Sequence, residues 1–270
     1  MPLAVCATPI GNLDDVTLRV LQALRDAEVV LCEDTRRTRL LLARHGIRAA
    51  ELLSYHEHNE AERTAELLPR LRDGALVALV SDAGLPAISD PGGRLIEAAL
   101  REGVPVTVLP GASAVETALV ASGLVSDRWQ FVGYLPRAER ALDELWAELA
   151  GWPGAVVAFE SPQRLPGTLR SLAAALPGRE LAVCRELTKR FEEVVRGTPA
   201  ELAERFAEPP RGEITLVLGP AEPVEDEAGE REALDAVAEL VASGVSRRDA
   251  AALVARLTGV ARNRLYGGSL

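Results

Sequence analysis

Short apolar runs alternate with helical patterns along the first half of the chain. The run LAVCAT at residues 3–8 is followed by a segment in which apolar side chains recur every three to four positions. In that segment Val20 and Leu24 share one helical face, and Asn12 or Asp14 is the expected N-cap. Continuous apolar strands that alternate with helices predict a parallel sheet covered on both faces.

The second half of the chain repeats the alternation, with one difference. The runs LAVCREL (181–187) and FEEVVRG (191–197) leave no room for a helix between them, so part of this second sheet is predicted to be antiparallel. An acidic stretch and two helical patterns, each ended by glycine, follow, and VARNRLYGGSL is expected to add a short third helix. The predicted organisation is an N-terminal α/β domain at residues 1–116, a C-terminal α/β domain at 117–220, an acidic linker at 221–232 and a helical tail at 233–270.

Charge is distributed unevenly over the chain of 270 residues, of which 48% are hydrophobic. The net charge of −10 argues against a surface built to coat nucleic acid. Residues 243–270 nevertheless carry five arginines against the single acid Asp249. Either a local phosphate-binding patch or an ordinary solvated helix face accounts for them, and charge alone leaves both open. The arginines of this stretch are Arg247, Arg248, Arg256, Arg262 and Arg264.

Cysteine usage and the absence of targeting signals predict a cytoplasmic protein. Cys6, Cys32 and Cys184 each lie inside an apolar run with no CxxC pair, which is typical of buried free thiols in a reducing compartment. No apolar run approaches the roughly 18 to 20 residues that cross a bilayer. The N-terminus lacks the basic region and the cleavage site of a signal peptide.

The loops that follow the apolar strands are rich in residues with special chemistry. They are TPIGN (8–12), CEDTRRT (32–38), VSDAGLPAISDPG (80–92) and LPGASA (109–114). Taken singly, their glycines, prolines and aspartates are explained by turn chemistry. The carboxyl ends of parallel strands meet at one sheet edge, so together the loops predict a ligand with polar and apolar parts. Neither GxGxxG nor a P-loop is present, which disfavours dinucleotides and nucleoside triphosphates.

Two further features leave alternatives open. His56 and His58 have the spacing of metal ligands in an extended segment, but no third ligand lies nearby, so substrate contact or a helix cap is favoured. Lys189 is the only lysine of the chain. Burial can lower the pKa of a lysine amine enough for it to transfer protons. Lys189 therefore either has a catalytic or phosphate-contacting role or simply forms an ion pair with Glu186.

Eight motifs together resemble the tetrapyrrole-methylase superfamily of S-adenosylmethionine-dependent enzymes, which have two α/β domains. They are TPIGNLDD, CEDTR, YHEHN, SDAGLPAISDPG, LPGASA, FESPQRL, ELTKRFEE and RGEITLV, in order over essentially the whole chain. SDAGxPxISDPG with YHEHN and ELTK is similar to the branch that methylates a cytidine ribose 2′-hydroxyl of bacterial 16S ribosomal RNA. The porphyrin and corrin branches carry Gly-Asp-Pro where this chain has Ser81, Asp82 and Ala83.

The resemblance implies that S-adenosylmethionine is the methyl donor, bound in a cleft between the two α/β domains. No metal is needed, because the sulfonium methyl is already activated. Lys189 or Glu186 is the expected base. The implied donor-binding residues are Pro9, Asp82, Ala83, Gly84, Leu85, Ala87, Ser113, Ala114, Phe159, Leu187 and Ile214.

The implied acceptor is 16S ribosomal RNA in the decoding region of the small ribosomal subunit, and a homodimer is implied as well. Only 4% of the residues are aromatic, so recognition by stacked bases alone is not expected. The tail resembles a small RNA-contacting appendage, and its YGGS ending predicts a frayed last helix. The implied RNA-contacting residues are Asn12, Arg36, Arg37, His58, Ser89, Asp90, Arg190, Arg247, Arg248 and Arg262.

Two rival functions remain at this point. A tetrapyrrole or diphthamide-pathway methyltransferase would use the same fold, but the missing Gly-Asp-Pro and the basic tail speak against it. A non-catalytic ribosome-binding factor would keep the fold without the chemistry, and the intact loop at residues 81–92 speaks against that.

Overall fold

The structure, a computed structural model, describes residues 2–221 and 227–267. The chain divides into two compact units, residues 1–221 and residues 222–270. The first unit contains two β-sheets, and the described part of the second consists of helices and the turns that join them, with no strand.

The first sheet consists of strands that alternate with helices along the chain. Its elements are β1 (Leu3–Cys6), α1 (Leu18–Asp26), β2 (Val29–Cys32), α2 (Thr35–Arg44), β3 (Glu51–Ser54), α3 (Glu60–Arg72), β4 (Val77–Val80), α4 (Gly93–Arg101) and β5 (Val106–Leu109). The strands are parallel and lie in the order β3-β2-β4-β1-β5.

Different helices cover the two faces of this sheet, because side chains alternate along each strand. Ala4 and Cys6 of β1 face α1 and α2, whereas Leu3 and Val5 face α3 and α4. The inner strands β1, β2 and β4 are buried along their whole length. Burial on both faces explains why these strands are continuous apolar runs, and it confirms the predicted parallel sheet.

The second sheet mixes parallel and antiparallel pairs. Its elements are β6 (Trp129–Tyr134), α6 (Glu139–Ala150), β7 (Ala155–Glu160), α7 (Leu165–Ala175), β8 (Leu181–Arg185), β9 (Glu193–Gly197), α8 (Pro199–Arg205) and β10 (Ile214–Leu218). The strand order is β6-β7-β10-β8-β9, and only the β6–β7 pair is parallel. The predicted antiparallel pairing of 181–187 with 191–197 is therefore confirmed.

One helix links the two sheets. Helix α5 (Ala114–Ser122) follows the last strand of the first sheet, yet its Val115 and Leu119 pack against Val157 and Val217 of the second sheet. Helices α6, α7 and α8 cover the opposite face of that sheet. The domain boundary predicted after residue 116 falls inside α5, and the division of the first unit into two domains stays a prediction.

The second unit contains α9 (Glu227–Ala242), α10 (Arg247–Thr258) and α11 (Arg262–Gly267), the three helices that the sequence predicts. Gly244 and Gly259, which follow the first two helices, have φ values of +96° and +78°, where glycine is favoured. Because α9 begins at Glu227, its first turns occupy the second half of the predicted linker. Residues 222–226 of that linker and the predicted frayed end, residues 268–270, lie outside the described residues. The helices share a core of Ala233, Val237, Ala250, Ala251, Val254 and Leu265.

The predicted cap of α1 is wrong. The helix begins at Leu18, and the hydroxyl of Thr17 accepts a hydrogen bond from the Val20 N–H at 3.2 Å. Asn12 instead accepts from the Asp14 N–H at 3.1 Å, so its side chain closes a turn before the helix. An asparagine stabilises turns and caps through the same kind of bond, which is why the sequence alone did not separate the two roles.

Candidate active site

Two loops at the carboxyl edge of the first sheet are joined through their main chains. The Thr8 N–H donates to the Gly84 carbonyl at 2.8 Å, and the Gly84 N–H donates back to the Thr8 carbonyl at 3.0 Å. The Thr8 hydroxyl also donates to the Ser81 carbonyl at 3.0 Å. The loops after β1 and β4 therefore form one continuous surface, as strand ends of a parallel sheet allow.

The 81–92 loop is held in an unusual backbone conformation. Ala87 and Ser89 have φ values of +70° and +60°, in the left-handed region that non-glycine residues rarely adopt. Gly92 has a φ of +137°, and its N–H donates to the Glu60 carboxylate at 2.8 Å. Such conformations persist only where surrounding structure enforces them, and they cluster at functional sites.

Asp82 connects this loop to the neighbouring strand end. Its Oδ1 accepts from the Asp34 N–H at 2.9 Å, and its Oδ2 lies 3.5 Å from Nε of Arg37. Asp34 is the N-cap of α2 and accepts from the Arg36 N–H at 2.8 Å. Asp82 thus fixes the start of α2 and the position of Arg37 relative to the loop.

A cavity of about 840 Å³, the main cavity, lies between these loops and the second sheet. Its walls combine main chain of the 81–92 loop, the start of α5 and apolar side chains of the second sheet. The predicted donor-binding residues that line it are Asp82, Ala83, Gly84, Leu85, Ser113, Ala114, Phe159, Leu187 and Ile214. The predicted RNA-contacting residues that line it are Arg37, Ser89 and Asp90.

Two predicted donor-binding residues lie elsewhere. Pro9 lines a second cavity of about 350 Å³, together with Gly11, Leu40 and Lys189. Ala87 lines neither of these two cavities, although its positive φ shapes the loop that lines the first.

Aromatic side chains form one wall of the main cavity. The rings of Phe131 and Tyr134 both meet the ring of Phe159 edge to face, with centroids 4.9 Å and 5.4 Å apart. Residues three apart on a regular strand face opposite sides. Here the register of β6 on β7 shifts between Phe131 and Tyr134, and Gly133 has a φ of +72°, so an irregularity turns both rings to one side.

Burial, helped by nearby carboxylates, raises the pKa of three groups in the main cavity. Burial, followed by the charge of Glu33, raises the pKa of Asp90 to about 6. Burial, followed by the charge of Asp82, raises the pKa of Glu33. Burial and the charge of Asp90 raise the pKa of Tyr134. A carboxyl with a pKa near 6 is ionised at neutral pH yet basic enough to accept a proton.

Lys189 forms the ion pair that the sequence suggested. Its Nζ lies 2.8 Å from Oε1 of Glu186 and 2.9 Å from Oε2 of Glu213. Burial lowers the pKa of Lys189, but the hydrogen bonds to the two carboxylates outweigh it and leave that pKa above its ordinary value. The bond from Lys189 lowers the pKa of Glu186. Lys189 is therefore protonated at neutral pH.

Comparison with known proteins accounts for this arrangement. A sequence model of the tetrapyrrole (corrin/porphyrin) methylase family matches residues 2–203. The chain belongs to this family. Ribosomal RNA small subunit methyltransferase I of Mesorhizobium japonicum is 46% identical over 270 residues, which cover 98% of this chain and 90% of that protein. Within the family, the chain groups with proteins of that name.

Solved structures agree on the fold of this tetrapyrrole methylase. The methyltransferase CobJ has a TM-score of 0.62 at 20% identity and covers 81% of this chain and 94% of its own. A uroporphyrin-III C-methyltransferase from Thermus thermophilus complexed with S-adenyl homocysteine has a TM-score of 0.56 at 21% identity, and covers 80% and 96% of the two chains. The predicted fold class, an α/β fold of the tetrapyrrole-methylase type with a small helical tail, is confirmed.

The helical tail has a family match of its own. A sequence model described as the RsmI C-terminal HTH domain matches residues 227–267. Arg248 and Arg262 are exposed at the starts of α10 and α11, and Arg247 is half-buried beside Arg248. These three residues belong to the second unit, whereas the residues that line the main cavity belong to the first.

The other predicted RNA-contacting residues lie outside the main cavity. Arg36 is exposed and paired with Asp34 at 2.7 Å, and His58 is exposed beside Glu57. The Asn12 N–H donates to the Thr188 hydroxyl at 3.0 Å, which ties two loops together. Arg190 lies over the ring of Phe191.

Several residues of the cavity are absent from the sequence predictions. Trp129, Phe131, Tyr134 and Glu160 all line it, and so does Glu33, which belongs to the predicted loop at residues 32–38 but was given no role of its own. One signal was available, because the predicted strand WQFVGY contains three of the chain's few aromatic residues. The irregularity at Gly133, which aims Tyr134 at the cavity, depends on strand register and has no signature in one sequence.

Over residues 2–221 and 227–267, no helix combines the length and apolar character needed for a membrane crossing. Within the same residues, no group of three or more His, Cys, Asp or Glu side chains is arranged to hold a metal ion. His56 and His58 instead contact each other edge to face, at the turn that leads into α3.

Proposed function

We propose that this chain transfers a methyl group from S-adenosylmethionine to the 2′-hydroxyl of a cytidine ribose in 16S ribosomal RNA, in the decoding region of the small subunit. The observation that carries the proposal is the similarity, over 98% of this chain, to a ribosomal RNA small subunit methyltransferase I. The chemistry of the main cavity supports it independently.

The main cavity fits S-adenosylmethionine in its chemistry. Phe159, Leu187 and Ile214 supply apolar surface, and the main chain of residues 82–85 supplies hydrogen-bonding groups. At the start of α5 the Ser113 side chain bonds to Glu116 instead of capping the helix, which leaves first-turn N–H groups for a carboxylate. The carboxylates of the cavity suit a positively charged sulfonium. When bound, the donor supplies an activated methyl group.

The protein contributes position and a proton acceptor. The protein holds the ribose hydroxyl in line with the methyl group, so the reaction no longer needs a bimolecular encounter. Such positioning lowers the activation free energy by several kcal/mol in general. Asp90 is the cavity carboxylate best suited to accept the hydroxyl proton, because its pKa of about 6 makes it more basic than an ordinary carboxylate while leaving it ionised at neutral pH. Lys189 and Glu186 remain proposed contributors. The raised pKa of Lys189 favours an ammonium group that holds RNA over one that removes a proton.

We further propose a cytoplasmic homodimer. Strand β5 is an edge strand whose Val108 is 52% exposed, and Val120 of α5 is 71% exposed, so a second copy would cover apolar surface. Cys6 and Cys184 are free and buried, and burial raises their pKa to about 12, which suits inert thiols in a reducing compartment. Sedimentation of Val120→Glu as a monomer, against a wild-type dimer, tests the assembly.

The deciding experiment is methyl transfer from labelled S-adenosylmethionine to small ribosomal subunits that lack the modification. Nuclease digestion and mass mapping then locate the label. Label on a single cytidine ribose is the expected result. Label on a base, or on another nucleotide, would contradict the proposed chemistry while preserving the substrate class.

The rival functions have separate outcomes in the same assay. Donor binding without transfer to subunits, combined with methylation of an offered tetrapyrrole or protein, would support a tetrapyrrole or diphthamide-pathway enzyme. Absence of donor binding by calorimetry would support a non-catalytic ribosome-binding factor. In the double variant Arg248→Glu/Arg262→Glu we expect unchanged donor binding and weaker RNA binding, most clearly at low salt.

A further inference from the structure

The loop between β8 and β9 presents an aromatic side chain to solvent. Phe191 is 64% exposed, in a chain with four phenylalanines. Leu187, at the start of this loop, lines the main cavity, and Lys189 lines the second cavity. The loop therefore runs from the proposed methyl-transfer site to an exposed aromatic ring within five residues.

This 186–192 loop is rigid for its length. Glu186 and Thr188 have φ values of +53° and +64°, and the Thr188 N–H donates to the Glu192 carboxylate at 2.5 Å. The Asn12 N–H donates to the Thr188 hydroxyl at 3.0 Å, which fastens the loop to the one after β1. A Cβ on Gly11 would lie 2.5 Å from Cγ of Lys189, so the two loops are in close contact. These contacts fix the main chain of the loop that carries Phe191.

The carboxylates of this region are engaged within the protein. Glu186 pairs with Lys189 at 2.8 Å, and Glu193 pairs with Arg185 and Arg205, each at 3.0 Å. Among the described residues Arg190, by contrast, has no ion-pair partner.

The guanidinium of Arg190 lies 5.5 Å from the ring centroid of Phe191. The loop consequently offers one uncompensated cation beside one exposed aromatic face. Single-stranded nucleic acid is bound by this combination, because an aromatic face stacks on a base and a cation contacts the adjacent phosphate. A protein partner would instead favour a broader apolar surface.

We propose that Phe191 is a stacking platform for an unpaired RNA base next to the methylated nucleotide, with Arg190 on a neighbouring phosphate. The inference rests on the proposed function, which supplies the RNA. It assigns a base-binding position that lies outside the main cavity.

The test measures binding of a fluorescein-labelled single-stranded RNA of twelve nucleotides by anisotropy, over a range of salt concentrations. Phe191→Ala is expected to raise Kd about tenfold, as loss of one base–aromatic stack does. Phe191→Trp is expected to restore affinity, whereas Phe191→Leu, which keeps apolar bulk without an aromatic face, is not. The matched control is Leu18→Ala, an exposed apolar residue of α1, which is expected to leave Kd unchanged.

Salt dependence separates the two side chains. Phe191→Ala is expected to shift the plot of log K against log salt without changing its slope, because stacking releases no counterions. Arg190→Ala is expected to reduce the slope by about 0.7, the value for one phosphate contact on a single strand. Full rescue by Phe191→Leu, or an unchanged Kd in Phe191→Ala, would overturn the proposal.

Methyl transfer to small subunits distinguishes this inference from the function on which it rests. With the proposed function correct, Phe191→Ala is expected to raise KM for subunits about tenfold, with donor Kd unchanged. Equal KM in wild type and Phe191→Ala would contradict the stacking role of Phe191 but not the proposed methyl transfer. A wild-type protein that neither binds RNA nor methylates subunits would overturn both. A change of oligomeric state in Phe191→Ala, with RNA binding unchanged, would assign the ring to a protein interface instead.

Discussion

The 81–92 and 186–192 loops are strained in the same way but stabilised differently. Among the described residues, the non-glycine residues with positive φ all lie in these two loops: Ala87, Ser89, Glu186 and Thr188. The first loop is held largely by main-chain bonds and by the Gly84 pairing with Thr8. The second is held mainly by side-chain contacts, through Lys189 with Glu186 and Glu213 and through the bond from the Thr188 N–H to Glu192.

The difference determines which groups each loop leaves available. Where the main chain supplies the rigidity, the Asp90 side chain is not used in an ion pair among the described residues and lines the main cavity, and burial raises its pKa. Where ion pairs supply the rigidity, most charged groups of the loop already have partners. In the 186–192 loop, Arg190 and Phe191 are the side chains that remain available for a ligand. We therefore expect proton transfer to depend on the first loop and RNA placement on the second.

The largest expected effect is on the rate of methyl transfer, and it comes from a substitution in the 81–92 loop. Asp90→Asn is expected to lower the single-turnover methyl-transfer rate about a hundredfold or more, the usual contribution of a general base. In the wild type, the rate should rise as pH increases through about 6 and level off above it, because the base acts when ionised. That limb should vanish in Asp90→Asn. If the rate of the variant still rises through the same pH range, the general base is a residue other than Asp90.

Thermal unfolding supplies a readout for Asp90 that does not depend on activity. Because the pKa of Asp90 is raised in the folded state, its favourable contribution is present below the unfolded pKa and is lost as pH rises through about 6. Asp90→Asn should therefore raise Tm slightly at pH 8 and leave it unchanged at pH 3. A lower Tm at pH 8 would show that the ionised carboxylate stabilises the loop.

The next effect concerns the backbone of the 81–92 loop. Gly92→Ala forces a side chain onto a φ of +137° and places its Cβ 3.1 Å from Cδ2 of Leu79. We expect unfolding free energy to fall by about 1–3 kcal/mol and donor affinity to fall more than tenfold. Gly74→Ala is the matched control, since its φ is +92° with nothing within 4 Å of the added Cβ. Calorimetry should show normal donor binding in that control.

Asp82 tests how much of the loop's stability comes from a side chain. Asp82→Ala removes the acceptor of the Asp34 N–H and the partner of Arg37, so the loop and the start of α2 lose their connection. A tenfold weaker donor Kd by calorimetry is expected. Asp82→Asn keeps an acceptor oxygen and should recover part of the loss. Wild-type affinity in Asp82→Ala would mean that main-chain bonds alone position the loop.

The smallest expected effect is at Lys189. Lys189→Arg preserves a cation between Glu186 and Glu213. The variant should keep a methyl-transfer rate within a few-fold of the wild type, because the proposed role of the residue does not include losing a proton. Lys189→Met leaves two carboxylates facing each other and should raise KM for subunits several-fold, with donor Kd unchanged. An inactive Lys189→Arg with normal RNA binding would instead restore lysine as the base.

The sequence predicted the sheets and the tail because those depend on local pattern. Buried runs, the short gap before β9 and the glycines after the tail helices each act within a few residues. What it could not predict depends on which distant residues become neighbours. The contact of Asp34 with Asp82 requires β2 to lie beside β4, and the aim of Tyr134 requires the register of β6 on β7.

The position of α5 connects ligand binding in the main cavity to the stability of the second sheet. Its first residues line the main cavity, while the rest of the helix is part of the core of the second sheet. A ligand that steadies the start of this helix would also slow the local opening of the strands beneath it. Donor binding should consequently be visible as slower hydrogen exchange of amides along β8 and β10, including those at the ends of the strands away from the cavity.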